Sequence, residues 1–282
     1  MKITGITKIT GVFGYPVKHS LSPVFHNAAF RYLNLDYVYI PIEVAPENIG
    51  NAVKGIKAMN FAGVNITVPY KTTVMPYLDE IDADAKMLCA VNTLVNKEGK
   101  IKGYNTDGHG FIRSIKERGI TLKDKTIFLL GAGGAACAVA DALVKENVGK
   151  ICICNRTDQK AITLKEHLLK TRNFQGGCVV PFAQKNNEEY WGNVDILINT
   201  TSIGMQEYDL PLVEERFIKP LKLVYDIVYN RETDIIKFAQ KAGVPFIDGL
   251  SMLVYQGAVA FEFWTGITAP VEEMKKAVGL DR

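Results

Sequence analysis

The stretch "TIFLLGAGGAACAVADALVK", residues 126 to 145, leaves this chain little choice of fold. An apolar run of strand length enters a glycine turn, and a run of small, helix-favouring residues leaves it. A second apolar run, "KICIC", follows at residues 150 to 154. Strand, glycine turn, helix and strand make one βαβ unit of the mononucleotide-binding kind. Gly131, Gly133 and Ala136 keep the GxGxxG/A spacing in the strand-to-helix context that makes it informative. Gly131 suits the tight turn, Gly133 lets a pyrophosphate approach the backbone, and Ala136 lets the helix pack close on the strand. With Ala132, Gly134 and Ala135 they form a turn whose helix N-terminal amides face the phosphates. A glycine turn that holds no ligand is the plain alternative, and the flanking strand and helix weigh against it.

The choice between dinucleotides falls roughly 20 residues further on, at the end of the second strand. That end reads "NRTDQK". Arg156 suits a ribose 2′-phosphate, Asn155 and Thr157 offer it hydrogen bonds, and Lys160 adds a second positive charge. NADP is the expected cofactor. Asp158 dissents, because a carboxylate near the ribose suits NAD, but its place past the strand end fits a cap on the following helix.

Around this unit the chain alternates strand-like and helix-like pieces. "TGVFGY", "PVFHNAAFRYLN", "YVYIPIEV", "PENIGNAVKGIKAM" and "FAGVNITV" precede it, and "DGHGFIRSIKERG" reads as a connecting helix. "VDILINTT" and "LKLVYDIVY" read as further strands, with weaker strand signals in "CVVPF" and "VPFI". The expected class is α/β, with a mainly parallel sheet in the first half and a doubly wound sheet in the second. From Gly249 the sequence turns helical and apolar almost all round, so that stretch packs between elements.

At 282 residues, 48% hydrophobic and 22% charged, the chain has ample core for one or two domains and is not disordered. A net charge of +3 with scattered lysines and arginines suits small anionic ligands and argues against nucleic acid. No stretch reaches the roughly 20 apolar residues of a membrane span, and the N-terminus lacks an export signal. The cysteines are odd in number and form no CxxC pair, so neither a disulfide framework nor a metal site is expected, and a cytoplasmic location fits. In "ICIC" they read as small apolar residues of a buried strand.

Polar residues cluster at the ends of the first-half strands. Ser20 and Ser22 follow "VFGYPVKH", Thr67 and Lys71 follow "GVNI", Asn92 lies in "AVNT", and Asn105, Thr106 and Asp107 lie in "YNTDG". Open α/β sheets bind ligands beyond the carboxyl ends of their strands, so this set suits one cleft for a small polyhydroxylated acid. Each member alone reads as a cap or a loop residue, Ser22 and Asp107 above all.

These motifs carry a resemblance. "HSLSP", "NITVPYK", "AVNTL", "NTDG", "GAGGAA", "NRT", "NTTSIGM", "DIVYN" and "DGLSMLVYQGA" occur in the order found in shikimate dehydrogenases, over nearly the whole chain. The resemblance implies reversible, NADP-linked reduction of 3-dehydroshikimate to shikimate, on the way to chorismate and the aromatic amino acids, without a metal, by a monomer or homodimer. It implies an N-terminal substrate-binding domain, residues 1–106 and 249–282, with C-terminal helices returning to it, and a Rossmann-like NADP-binding domain, residues 107–248. Ser20 and Ser22 would bind the substrate carboxylate. Thr67, Lys71, Asn92, Asp107 and Gln256 would hold the ring hydroxyls, Tyr229 would line the site, and Lys71 with Asp107 would form the catalytic pair. Thr200, Ile227, Gly249 and Met252 would join the glycine turn and Asn155 to Thr157 in holding the cofactor.

Two places depart from the family pattern. After "DIVY" the chain reads "YNRETD", with Arg231 and Asp234 where prolines are common and one residue fewer. Ser251 stands where glycine is usual. A quinate or dual quinate/shikimate dehydrogenase using NAD is the near alternative, and a non-catalytic NADP-binding regulator the distant one. His19, His26, His109 and His167 are assigned no chemistry.

Overall fold

The computed structural model describes residues 3–280. Two compact units emerge among them, the first made of residues 3–110 and 253–280 and the second of residues 111–252.

The first unit runs β1 (Lys8–Gly14), α1 (Ser22–Tyr32), β2 (Tyr37–Glu43), α2 (Ile49–Ala58), β3 (Gly63–Ile66), β4 (Glu80–Ile81), α3 (Ala83–Met87), β5 (Thr93–Lys97) and β6 (Lys100–Tyr104). Then α4 (Asp107–Glu117) carries the chain into the second unit. The sheet order is β2-β1-β3-β5-β6-β4. β1, β2 and β3 are parallel as expected, but β5 runs antiparallel to both β3 and β6. The β5–β6 hairpin was not among the expected elements. Its signal is local: Glu98 and Gly99 turn with positive φ, +53° and +80°. Because β5 is reversed, Asn92 lies at its amino end rather than at a strand's carboxyl end. That places it beside the carboxyl ends of β3 and β6, where Thr67 and Asp107 also start.

The second unit runs β7 (Thr126–Leu130), α5 (Gly134–Lys145), β8 (Lys150–Cys154), α6 (Asp158–Arg172), β9 (Gly177–Val180), β10 (Ile196–Asn199), β11 (Leu223–Asp226), α7 (Asp234–Ala242) and β12 (Phe246–Ile247). Its sheet is wholly parallel, in the order β12-β11-β10-β7-β8-β9, the doubly wound arrangement. The strand period of two sorts its core. Ile151 and Ile153 face one cluster while Cys152 and Cys154 face the other, and Ile127 and Leu129 divide likewise from Phe128 and Leu130. α5 and α6 cover the first face, α7 the second.

Then α8 (Gly249–Thr265) and α9 (Val271–Ala277) follow. Val254, Ala258, Phe261 and Trp264 of α8 are buried with Phe25, Phe30 and Tyr37, so the C-terminal segment completes the first unit's core. The apolar circumference read from the sequence is thereby used. Among the described residues no helix is long and apolar enough to cross a membrane.

Candidate active site

In the first unit the β3 strand ends at Ile66, and the chain turns through a cis Val68–Pro69 bond to present Lys71. Lys71 Nζ donates to Asp107 Oδ2 at 2.6 Å, across 36 residues of sequence. Asp107 is the first residue of α4, where a carboxylate suits the positive end of the helix dipole. Here its other oxygen, Oδ1, accepts from Asn92 Nδ2 at 2.8 Å, so both oxygens are committed to side chains. The carboxylate is nearly buried, with 8% of its side chain exposed, against 25% for Lys71. One partly accessible ammonium thus stands on a held carboxylate.

Asn92 gathers the rest. Its Oδ1 accepts from the Thr106 amide at 2.8 Å, and its Nδ2 lies 3.0 Å from Thr106 Oγ1 and 3.4 Å from Gln256 Oε1. Gln256, brought by α8, is oriented by its own Nε2 donating to Leu253 O at 2.8 Å. Lys71, Asn92, Asp107 and Gln256 therefore meet. Ser22 is buried as the first residue of α1, and its side chain makes no cap. Ser20 lies two residues before it, its Oγ accepting from the Ser22 amide at 3.3 Å. The loops after β1 and β3 are tied by the Tyr15 amide donating to Val68 O at 3.1 Å, and Thr67 Cγ2 lies against Gly14. Asn65, Thr93 and Tyr39 are buried polar residues behind this set that the sequence reading did not single out. Their signal was a polar residue inside an otherwise apolar strand.

In the second unit Gly131 has φ +108°, and a Cβ there would fall 2.5 Å from Thr200 Oγ1, so only glycine is accommodated. Thr200 spends its hydroxyl on Leu130 O at 2.6 Å, bracing the turn from behind. Around Gly133 and Gly134 a Cβ would meet nothing within 4 Å, and the amides of the first turn of α5 open on that space. The residues fit a pyrophosphate. Ala132 and Ala135 flank them, partly buried. Asn155 folds back, its Nδ2 donating to Thr157 O at 2.9 Å, and leaves Arg156, Thr157 and Lys160 exposed beyond β8. Asp158 does not cap α6 as expected. It is the helix's first residue, and its Oδ1 accepts from the Phe182 amide at 3.0 Å, tying α6 to the segment after β9.

The altered loop after β11 is held by Asp226. This buried carboxylate accepts from Asn199 Nδ2 at 2.9 Å, the Val228 amide at 3.0 Å and the Thr233 hydroxyl at 2.6 Å. Burial still pushes it up to about 6, with Asp248 adding to the shift. Tyr229 rides on this loop in the second unit, its phenol pushed up by burial. Asp234 opens α7, a position that suits proline or a carboxylate alike. Gly249 is wedged against Ile227, whose carbonyl oxygen would lie 1.9 Å from a Cβ. Asp248 caps α8 by accepting from the Leu250 amide at 3.1 Å, so the Ser251 hydroxyl is not needed there. Met252 is buried in the core and presents no polar group.

Three family models match the chain: "Shikimate dehydrogenase substrate binding domain" over residues 12–94, "Shikimate / quinate 5-dehydrogenase" over 113–234, and "Shikimate 5'-dehydrogenase C-terminal domain" over 249–278. A shikimate dehydrogenase (NADP(+)) of Carboxydothermus hydrogenoformans is 44% identical over 99% of both chains. A solved shikimate dehydrogenase in complex with NADP+ is 42% identical, with a TM-score of 0.92, and the match covers 98% of this chain and 96% of that one. The quinate dehydrogenase of Corynebacterium glutamicum, solved with NAD, is similar at 28% identity and a TM-score of 0.89, over 96% and 98% of the two chains. On this agreement of motifs, fold and near-full-length similarity, the chain belongs to the shikimate dehydrogenase family.

Proposed function

We propose that this protein catalyses the reversible, NADP-linked reduction of 3-dehydroshikimate to shikimate. The observation that carries the reading is the Lys71 ammonium held 2.6 Å from a nearly buried carboxylate that Asn92 fixes from its other side. NADPH, when bound, supplies the hydride to the ring ketone. Negative charge then develops on the ketone oxygen. Lys71 stabilises that charge and delivers the proton, and Asp107 orients Lys71 and accepts from a neighbouring ring hydroxyl. Asn92, Gln256 and Thr67 bind hydroxyls and Ser20 and Ser22 the carboxylate, and Tyr229 keeps the lining role that the family resemblance gives it. In the reverse direction neutral Lys71, or the Lys71/Asp107 pair as a unit, takes the hydroxyl proton.

The cofactor reading rests on Arg156 and Lys160 standing free of the protein interior beyond β8, beside Asn155 and Thr157. Asp158, the residue that favours NAD, is engaged with the Phe182 amide. Initial rates with shikimate or quinate against NADP or NAD test the whole. Shikimate with NADP is expected to give the highest kcat/KM, and Lys71→Ala to lose about 100-fold or more of kcat. A preference for quinate or NAD moves the alternative forward, and no turnover with any pair leaves the regulatory reading.

A further inference from the structure

Behind the Lys71–Asp107 pair lies a row of buried polar side chains that the proposed chemistry does not itself use: Tyr39 on β2, Asn65 on β3 and Thr93 on β5. Thr93 is fully buried and stands opposite Asn65 in the sheet register. Backbone groups decide which end of each amide is which. The Thr106 N–H can only donate and lies 2.8 Å from Asn92 Oδ1, so Asn92 Nδ2 is the end that reaches Asp107. The Asn92 carbonyl can only accept and lies 3.2 Å from Asn65 Nδ2, so Asn65 Oδ1 is the end that takes the Tyr39 hydroxyl at 2.8 Å. Thr93 Oγ1 accepts from Asn65 Nδ2 at 3.0 Å and lies 3.0 Å from Asn92 Oδ1. It has one proton to give, and the acceptor-only Asn92 Oδ1 at 3.0 Å is nearer than the other hydroxyl beside it, Thr106 Oγ1 at 3.4 Å. Every bond in the row therefore runs in one direction, from Tyr39 through Asn65, Thr93 and Asn92 onto the Asp107 carboxylate. Hydrogen bonds aligned head to tail strengthen one another.

We propose that Thr93 is a positioning residue for the reaction: its hydroxyl holds the Asn92 amide, and through it the Asp107 carboxylate, in the orientation that sets Lys71. This rests on the Lys71–Asp107 pair being the catalytic pair. Without the hydroxyl, Asn92 Oδ1 keeps the Thr106 amide and Asn65 Nδ2 keeps the Asn92 carbonyl, so no buried group is orphaned. The fold survives, but Asn92 loses one of the donors that fix its tilt.

The test is steady-state kinetics on Thr93→Val, Thr93→Ala and Thr93→Ser beside Lys71→Ala. Serine keeps the hydroxyl and is expected to stay near the wild-type kcat. Valine keeps the shape and alanine matches the volume of serine, yet both are expected to lose about tenfold in kcat, with KM for shikimate little changed, because misplacement of reacting groups is felt in the transition state. Should valine fail to fold, the serine and alanine variants, which differ by the hydroxyl alone, decide. Alanine and valine variants at wild-type kcat, or a serine variant as slow as alanine, overturn the inference while Lys71→Ala stays inactive. Wild-type kcat in Lys71→Ala overturns the reading of the pair and this inference with it.

Discussion

Both ring nitrogens of His26 are buried without a hydrogen-bond partner, in a setting of Tyr39, Phe25 and Trp264. Its ring stacks on Tyr39 at 4.3 Å, and burial lowers its proton affinity to about 3. The folded state thus refuses a proton that the unfolded chain takes up below about pH 6.5. Stability contributed by neutral His26 is complete above pH 6.5 and falls as pH drops toward 3, by about 1.4 kcal/mol per pH unit. Urea unfolding at several pH values should show this slope in the wild type and a shallower one in His26→Phe; parallel slopes contradict it. From the sequence His26 was legible as a histidine without chemistry, in the helix-like stretch after Pro23. Its lack of any partner was not, because the aromatic residues around it arrive from α1, β2 and α8.

At the scale of elements, the glycine turn separates two duties that a motif match merges. Gly131 meets Thr200 behind it, whereas Gly133 faces open space. Gly131→Ala places a Cβ against Thr200 Oγ1 at a positive φ and should destabilise by roughly 1–3 kcal/mol. Gly133→Ala, at φ −91°, should leave the melting temperature almost unchanged and raise KM for NADP, because its methyl occupies the space in front of the helix amides. Thermal melts beside cofactor titrations check the pair; equal melting temperatures in the two variants contradict it. The strand–turn–helix order was readable because period and turn chemistry are local. The β5–β6 hairpin went unread, since short strands of mixed polarity carry little periodicity, and its reversal is what turned Asn92 toward Asp107.

At the scale of the molecule, the second unit is one continuous segment with core on both faces of its sheet, while the first is built from two distant segments. A fragment of residues 111–252 should therefore fold alone with a cooperative melt and bind NADP. A fragment of residues 1–110 should not, because Phe25, Phe30 and Tyr37 lose Val254, Phe261 and Trp264. Circular dichroism of the two fragments, with NADP titrated into the first, checks this; a folded 1–110 fragment contradicts it.

What the sequence determined by itself was everything written in neighbouring residues: the βαβ unit, the glycine turn, the basic end of β8, and the motifs that carry the family. What only the tertiary structure decided was which polar groups meet. Lys71 and Asp107 are 36 residues apart, and Gln256 lies 164 from Asn92. Their pairing depends on strand order, on the reversal of β5 and on the return of α8. The direction of the hydrogen bonds behind them depends on backbone donors and acceptors that exist as fixed points only once the sheet has formed.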